Sequence, residues 1–185
     1  VANEEGVELR DIKRDKDLVK VAVRDFKSNI DYVMLPKFLL EADHLINLPI
    51  LKAHASMVFS GALKNIKGVV QDKVHMQMHQ KNLTMAMMDV WSVCRADINI
   101  MDAMHAASGY SPHMPVPIDT DMILGSKDPV AIDRVACEVT GIDTSSVDYF
   151  KVAEETGLGN YSMDMIDVVG DSIEDCYKKM WIPYI

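Results

Sequence analysis

The chain has 185 residues, of which 49% are apolar and 25% are charged, and its formal net charge is −9. This composition predicts a soluble globular protein with a single domain over residues 1–185, and the acidic balance argues against a general nucleic-acid binder or a binder of anionic membranes. No apolar run reaches the roughly 20 residues of a membrane span, and no signal peptide opens the chain. We therefore expect a cytoplasmic protein with no membrane partner.

Apolar and polar residues alternate through 19–24, which predicts a half-exposed edge strand, and a second short strand is predicted at 32–35. A short helix is predicted to begin at Pro36. Strands that are apolar on both faces, as buried parallel strands are, are predicted at 44–48, 98–101, 122–125 and 165–169. Helical spacing of apolar residues predicts helices over 57–70, 83–94, 129–140 and 147–156.

This alternation of strands and helices predicts an α/β fold, layered, with a mostly parallel sheet flanked by helices. Residues 103–120 contain Gly109 and three prolines and show no helical period. We expect them to form a mobile loop that covers the ends of the strands.

Polar residues follow three of the predicted strands, where open α/β sheets bind their ligands. Lys52 and His54 follow the first strand, Asp102 follows the second, and Ser126 and Asp128 follow the third. Asp128 also precedes a proline, so helix capping alone would explain it. Asp133 lies in the interior of the predicted helix, where aspartate is a poor helix former, and it is a further candidate ligand-binding residue.

Residues 52–81 hold five lysines and a single acid, Asp72, in an otherwise acidic chain. Lys64 and Lys67 are one helical turn apart and can address one ligand. Such a cluster repels itself unless an anion or distant acids offset it. It predicts a site for a small carboxylate or phosphate at Lys52, His54, Lys64 and Asn65; the alternative is a solvated helix face.

His75 and His79 are four residues apart, which on a helix would place both imidazoles on one side as a metal pair. The intervening methionines suit a soft metal such as copper(I), whereas paired surface histidines are the ordinary alternative. The three cysteines are scattered and form no iron–sulfur ligand run, so we expect no cluster ligated by this chain.

The segments LLEADHLINLPILKAH, GALKNIKGVV and DMILGSKDPVAIDRVACEVTGID resemble the family known as domain of unknown function 362, over about residues 39–170. The resemblance marks eight positions as characteristic: Lys52, His54, Lys64, Asn65, His79, Asp102, Asp128 and Asp133. Members are often fused to ferredoxin-type iron–sulfur modules, which implies a redox setting and a ferredoxin-type partner. They usually carry a further α/β section before this point, so the resemblance implies a shortened member or a fragment.

The sequence therefore predicts a domain that binds a small anion and leaves open whether it is an enzyme. In an enzyme, His54 or His79 would carry the proton, with Asp102 as a further catalytic candidate, and a lysine would stabilise developing negative charge. Two alternatives stay open: a non-catalytic metal-binding protein using His75 and His79, and a structural subunit that docks an iron–sulfur partner. An apolar patch beside the lysines would favour the docking subunit, and an uncovered apolar face would favour a homo-oligomer.

Overall fold

The structure is a computed structural model that describes residues 2, 4–23, 30–71, 78 and 82–182. After a 3-10 turn (Ile12–Arg14), strands β1 (Leu18–Ala22) and β2 (Tyr32–Pro36) pair antiparallel with Leu18 opposite Pro36. Helix α1 (Lys37–Glu41) follows at once. The two short strands and the helix that begins after Pro36 confirm the prediction for this part of the chain.

A second, mixed sheet carries the rest of the described strands. They are β3 (Ile46–Asn47), β4 (Ile50–His54), β5 (Val58–Ser60), β6 (Ile98–Tyr110) and β7 (Met114–Ser126). Strands β3 and β4 both run parallel to β6, whereas β5 pairs antiparallel with β4 and β7 pairs antiparallel with β6. The fold is therefore α/β, with Lys52 and His54 inside a strand that resumes after Pro49.

Two described α-helices lie between β5 and β6, α2 (Ala62–Asn65) and α3 (Leu83–Val93), and three follow β7, α4 (Pro129–Thr140), α5 (Asp148–Glu155) and α6 (Ile173–Cys176). Helix α2 continues as a 3-10 turn over Ile66–Val69. The predicted helices at 83–94, 129–140 and 147–156 are confirmed within a residue or two. Asp128 caps α4 as predicted, through hydrogen bonds from the Val130 and Ala131 amides at 2.8 and 2.9 Å.

One face of the sheet and the inner faces of the helices form a single core. Leu51 and Ala53 of β4 and Met101 of β6 are fully buried there, beside Phe59 and Leu63. Trp91 of α3 is 2% exposed and donates its indole N–H to the Leu63 carbonyl at 2.9 Å. This bond ties α3 to α2, so the core and the position of α2 depend on each other.

Four predictions about elements are wrong. Residues 103–120 are not a loop, because they belong to a long antiparallel hairpin in which β6 and β7 pair from Asn99 with Ser126 to Tyr110 with Met114. The predicted strands 98–101 and 122–125 therefore pair with each other, antiparallel rather than parallel. Prolines 115 and 117 suggested a loop, but a strand paired along one side tolerates proline.

The predicted helix 57–70 is also wrong in its first half, because Val58–Ser60 pairs with β4 and the helix begins only at Ala62. The predicted strand at 165–169 does not form. The segment begins at the last residue of a 3-10 turn (Met163–Met165) and continues as irregular chain, and Val169 is 94% exposed. Ile166 and Val168 instead line a cavity of about 280 Å³ beside β7 and α4.

Candidate functional site

Helix α2 is only four residues long, and a carboxylate from another helix holds its beginning. Asp133 of α4 accepts hydrogen bonds from the Ala62 amide at 2.5 Å and the Leu63 amide at 3.0 Å. The Tyr149 hydroxyl of α5 donates to the same carboxylate at 3.5 Å. Asp133 thus does for α2 what a local capping residue does for most helices, across about 70 residues of sequence.

Gly61 is required at the start of α2 because the chain passes very close to Asp133. A Cβ atom at this position would lie 2.2 Å from the Asp133 Oδ1 atom. Burial is the main cause that raises the pKa of Asp133 to about 7, with a smaller contribution from the negative charge of Asp128. The three hydrogen bonds that Asp133 accepts act in the opposite direction and lower it.

The other end of α2 is held by a chain of asparagine amides. Asn65 donates to the Asn47 Oδ1 atom at 2.8 Å, and Asn47 donates to the Asn99 Oδ1 atom at 2.9 Å and to the Ala62 carbonyl at 3.1 Å. Asn99 in turn donates to the Ser126 carbonyl at 3.2 Å. Asn47 and Asn99 are buried, so this amide chain fixes α2 rigidly to β3, β6 and β7.

Ser126 and Asp128 lie at the end of this amide chain and have structural partners of their own. The Ser126 hydroxyl accepts the Asp128 amide at 3.0 Å. The Asp128 carboxylate accepts the backbone amide and the side-chain amide of Asn160 at 2.8 and 3.1 Å, in addition to capping α4. A Cβ at Gly159 would lie 2.0 Å from its Oδ1 atom, which explains a glycine there.

Lys64 of α2 lies close enough to two other lysines to feel their charges, Lys52 of β4 and Lys67 of the 3-10 turn that follows α2, and we call these three residues the lysine cluster. Burial, followed by the charges of Lys67 and Lys52, lowers the pKa of Lys64 to about 8. Burial and the charge of Lys13 lower the pKa of Lys67 to about 8, and burial lowers that of Lys52. In the described parts of the chain, neither Lys52 nor Lys64 has an acidic partner.

His54 and Asp102 lie on two paired strands of the mixed sheet, β4 and β6. His54 Nδ1 is 3.2 Å from the Ser56 amide and lines a cavity of about 630 Å³ together with Lys179 and Trp181. Asp102 is exposed on β6, in register with Ile50, and accepts the Met104 amide at 3.0 Å. Asp102 therefore lies beside Ile50, and His54 lies four residues further along extended β4, roughly 13 Å away. The candidate catalytic residues His54 and Asp102 are not neighbours.

The metal pair predicted at His75 and His79 lies outside the described residues, so it stays a prediction. Among the residues that the structure describes, no group of three histidine, cysteine or acidic side chains could hold a metal ion. Cys94 and Cys137 are buried, and burial raises the pKa of both thiols. No helix in the described ranges is long and apolar enough to cross a membrane.

Residues 1–138 match the family model described as Domain of unknown function (DUF362). The chain belongs to this family. In this DUF362 chain, the two segments most characteristic of the resemblance, GALKN and DPVAID, meet at the contact of Gly61 and Ala62 with Asp133. The characteristic residues Asn65, Asp128 and Asp133 therefore lie in one connected set of hydrogen bonds around α2 and α4.

The DUF362 chain is similar to the thylakoid-associated protein sll1697 of Synechocystis sp., with 25% identity over 136 residues. That alignment covers 70% of this chain and 42% of the relative, so the chain spans less than half of the relative's length. No solved structure matches it.

Sequence reasoning missed Asn47, Asn99 and Tyr149. A signal for the first two was present, because each asparagine interrupts an apolar strand after an isoleucine, at Ile46-Asn47 and Ile98-Asn99. Buried polar side chains need partners, and these two face each other directly in the parallel register. Tyr149 carried no comparable signal, since a tyrosine on an apolar helix face is ordinary core.

Proposed function

We propose that this DUF362 domain binds a small anion that bears a carboxylate or phosphate group at the lysine cluster. The observation that carries the proposal is the environment of Lys64, which is half-buried beside two other ammonium groups and has no acidic partner in the described ranges. Charges placed together in this way repel each other unless an anion offsets them. A bound anion would supply the missing charge and restore the pKa of Lys64 toward its ordinary value.

The anchoring of α2 supports the same proposal. Asp133 and the buried asparagines hold both ends of a helix too short to be stable alone. Buried polar groups of this kind contribute rigidity more reliably than stability, as do the residues that orient binding side chains in other sites. Asn65, Ser126, Asp128 and Asp133 therefore act in the proposal as supports of the site, while Lys52, Lys64 and Lys67 contact the anion.

Titration calorimetry with phosphate, sulfate and malonate tests this function on the whole chain. Each hydrogen bond to a charged group contributes about 1.5–3 kcal/mol, so Lys64→Met should weaken binding by about tenfold or more. Lys151→Met is the matched control, because Lys151 is exposed on α5, away from the cluster. Equal affinities for the wild type and Lys64→Met would refute the proposal, as would an equal loss in Lys151→Met.

A second function, docking of another protein, is favoured by one feature of the sheet. Ile50 lies two residues before Lys52 on the same face of β4 and is 49% exposed. Asp102 of β6 lies between Ile50 of β4 and Ile123 of β7 on this face, and Ile123 is 68% exposed. This apolar patch beside a lysine is the surface that a subunit of a larger assembly would use. The iron–sulfur-linked redox setting implied by the resemblance stays a prediction, since it rests on no contact of the described residues.

A further inference from the structure

Asp133 is a fully buried carboxylate at the point where α2, α4 and α5 meet. Its two oxygens accept from three donors: the Ala62 amide, the Leu63 amide and the Tyr149 hydroxyl. An ionised carboxylate is an acceptor only, so this set of donors matches the charged form of the side chain. A proton on Oδ2 would turn that oxygen into a donor aimed at groups that themselves donate.

The position of Lys64 follows directly from this anchor. Leu63, whose amide is bound by Asp133, is the residue immediately before Lys64, and Lys67 follows less than one turn later. Lys52, by contrast, is fixed by the strand pairing of β4 with β5 and β6. The spacing between the strand lysine and the helix lysines is thus set by how firmly Asp133 holds the start of α2.

We propose that Asp133 is the positioning residue of the anion site: its carboxylate fixes α2 so that Lys64 faces Lys52, and protonation of Asp133 weakens anion binding. This inference rests on the proposed function and adds its regulation by pH. Asp133 touches no anion itself and acts through the backbone of Ala62 and Leu63. The resemblance had marked this residue as characteristic, and the contact explains what it does.

The groups that face Asp133 define the pH range. Burial raises the pKa of Asp133 to about 7; Leu63, Ala62 and the Tyr149 hydroxyl lower it, and Asp128 on its own helix raises it. Below about pH 7 the carboxyl group is protonated and the anchor is weakened. Above about pH 8 Lys64 and Lys67 lose their charges. Anion affinity should therefore form a bell, highest between these two values.

Sulfate is the probe, because its charge is constant across this range, and its affinity is measured by calorimetry from about pH 5.5 to 9.5. The wild type should show both limbs of the bell. Asp133→Asn should bind sulfate at least fivefold more weakly at the optimum and lack the acidic limb. Lys64→Arg should keep the acidic limb and make the alkaline limb shallower, because arginine stays charged while Lys67 still loses its charge above about pH 8. Asp143→Asn, at an exposed carboxylate that caps a separate 3-10 turn (Thr144–Ser146), should leave the bell unchanged.

Tyr149→Phe gives an independent answer if Asp133→Asn does not fold. Removing the hydroxyl removes a hydrogen bond that lowers the pKa of Asp133, so the acidic limb should move to higher pH. Three outcomes would overturn the role of Asp133 and leave the anion site standing. The wild type could lack an acidic limb, Asp133→Asn could keep one, or Tyr149→Phe could leave it at the same pH. Absence of sulfate binding by the wild type at every pH would overturn both.

Discussion

At Lys64 the needs of binding and of stability oppose each other. The pKa of its ammonium group falls from 10.5 to about 8 in the folded chain, so folding disfavours the charged form. At neutral pH the charge therefore destabilises the empty protein, and this loss is recovered as the pH rises from 8 toward 10.5. A residue retained at such a position is typical of binding sites, where stability is given up for function.

Lys64→Met should raise the free energy of unfolding in buffer without anions at about pH 7. The gain should shrink by about pH 10, where the folded lysine is neutral and the unfolded lysine approaches its ordinary pKa, so that most of the stability is recovered. Urea denaturation at the two pH values measures both quantities, with Lys151→Met as the control. A variant that is less stable than the wild type at neutral pH would show that Lys64 has a stabilising partner.

Residue-level features that depend on near neighbours could be predicted from the sequence, and those that depend on distant contacts could not. Asp128 followed by Pro129 predicted the cap of α4, because capping involves amides two and three residues away. Asp133 was selected only as an unusual residue for a helix interior. Its partners Ala62 and Leu63 are brought to it by the tertiary fold, which no local spacing encodes.

At the scale of helices and strands, long elements with local signals could again be predicted and short or distantly paired ones could not. Helices α3 and α4 have long apolar stripes with caps, and their predicted bounds hold. Helix α2 is only one turn long. The apolar residues of the strand Val58–Ser60 happen to continue its helical spacing, and so short a run cannot be assigned to a helix or a strand by spacing alone. The hairpin of β6 and β7 was not predicted because its prolines indicated a loop. Among the described residues β7 pairs only with β6, and a strand with one open side tolerates proline.

The amide chain that holds α2 should be sensitive to the loss of its central member. Asn47→Ala leaves Asn65 Nδ2 and the buried Asn99 Oδ1 atom without the partners they have in the wild type. An unsatisfied buried polar group costs about 1–3 kcal/mol, and we expect a loss of unfolding free energy in that range. Urea denaturation measures it; Asn160→Ala, at an exposed asparagine, should change the free energy much less. Equal effects of the two substitutions would mean that the amide chain contributes little.

On the scale of the whole molecule, one face of the mixed sheet is buried and the other leaves isoleucines in contact with water. Ile46 is 55% exposed and pairs with Ile98, on the same side as Ile50 and Ile123. The apolar pattern of these strands had predicted burial on both faces. An oligomer stays a prediction, and this uncovered face is the surface on which it can be tested.

We expect this face to pack against another protein subunit, and a second copy of the chain is the partner that the purified protein can test directly. Ile50→Lys should shift sedimentation velocity profiles toward the monomer at concentrations where the wild type associates, because a charged group would then have to be buried. Val169→Lys is the control, since Val169 is 94% exposed outside the sheet. A wild type that is monomeric at every concentration, or equal effects of both substitutions, would contradict this prediction.

The prolines of β7 bear on how such copies can meet. Pro115 and Pro117 flank Val116, which is 51% exposed, and follow Met114, which is 68% exposed. Without prolines, an open strand of this kind would be a template for the addition of a further strand and for growth into fibres. Proline lacks the N–H group that an added strand would need, and prolines in sheets lie where that group would point away from the ladder. The outer part of the hairpin is thus protected against open-ended aggregation, and the isoleucine face can stay exposed for a closed, face-to-face association.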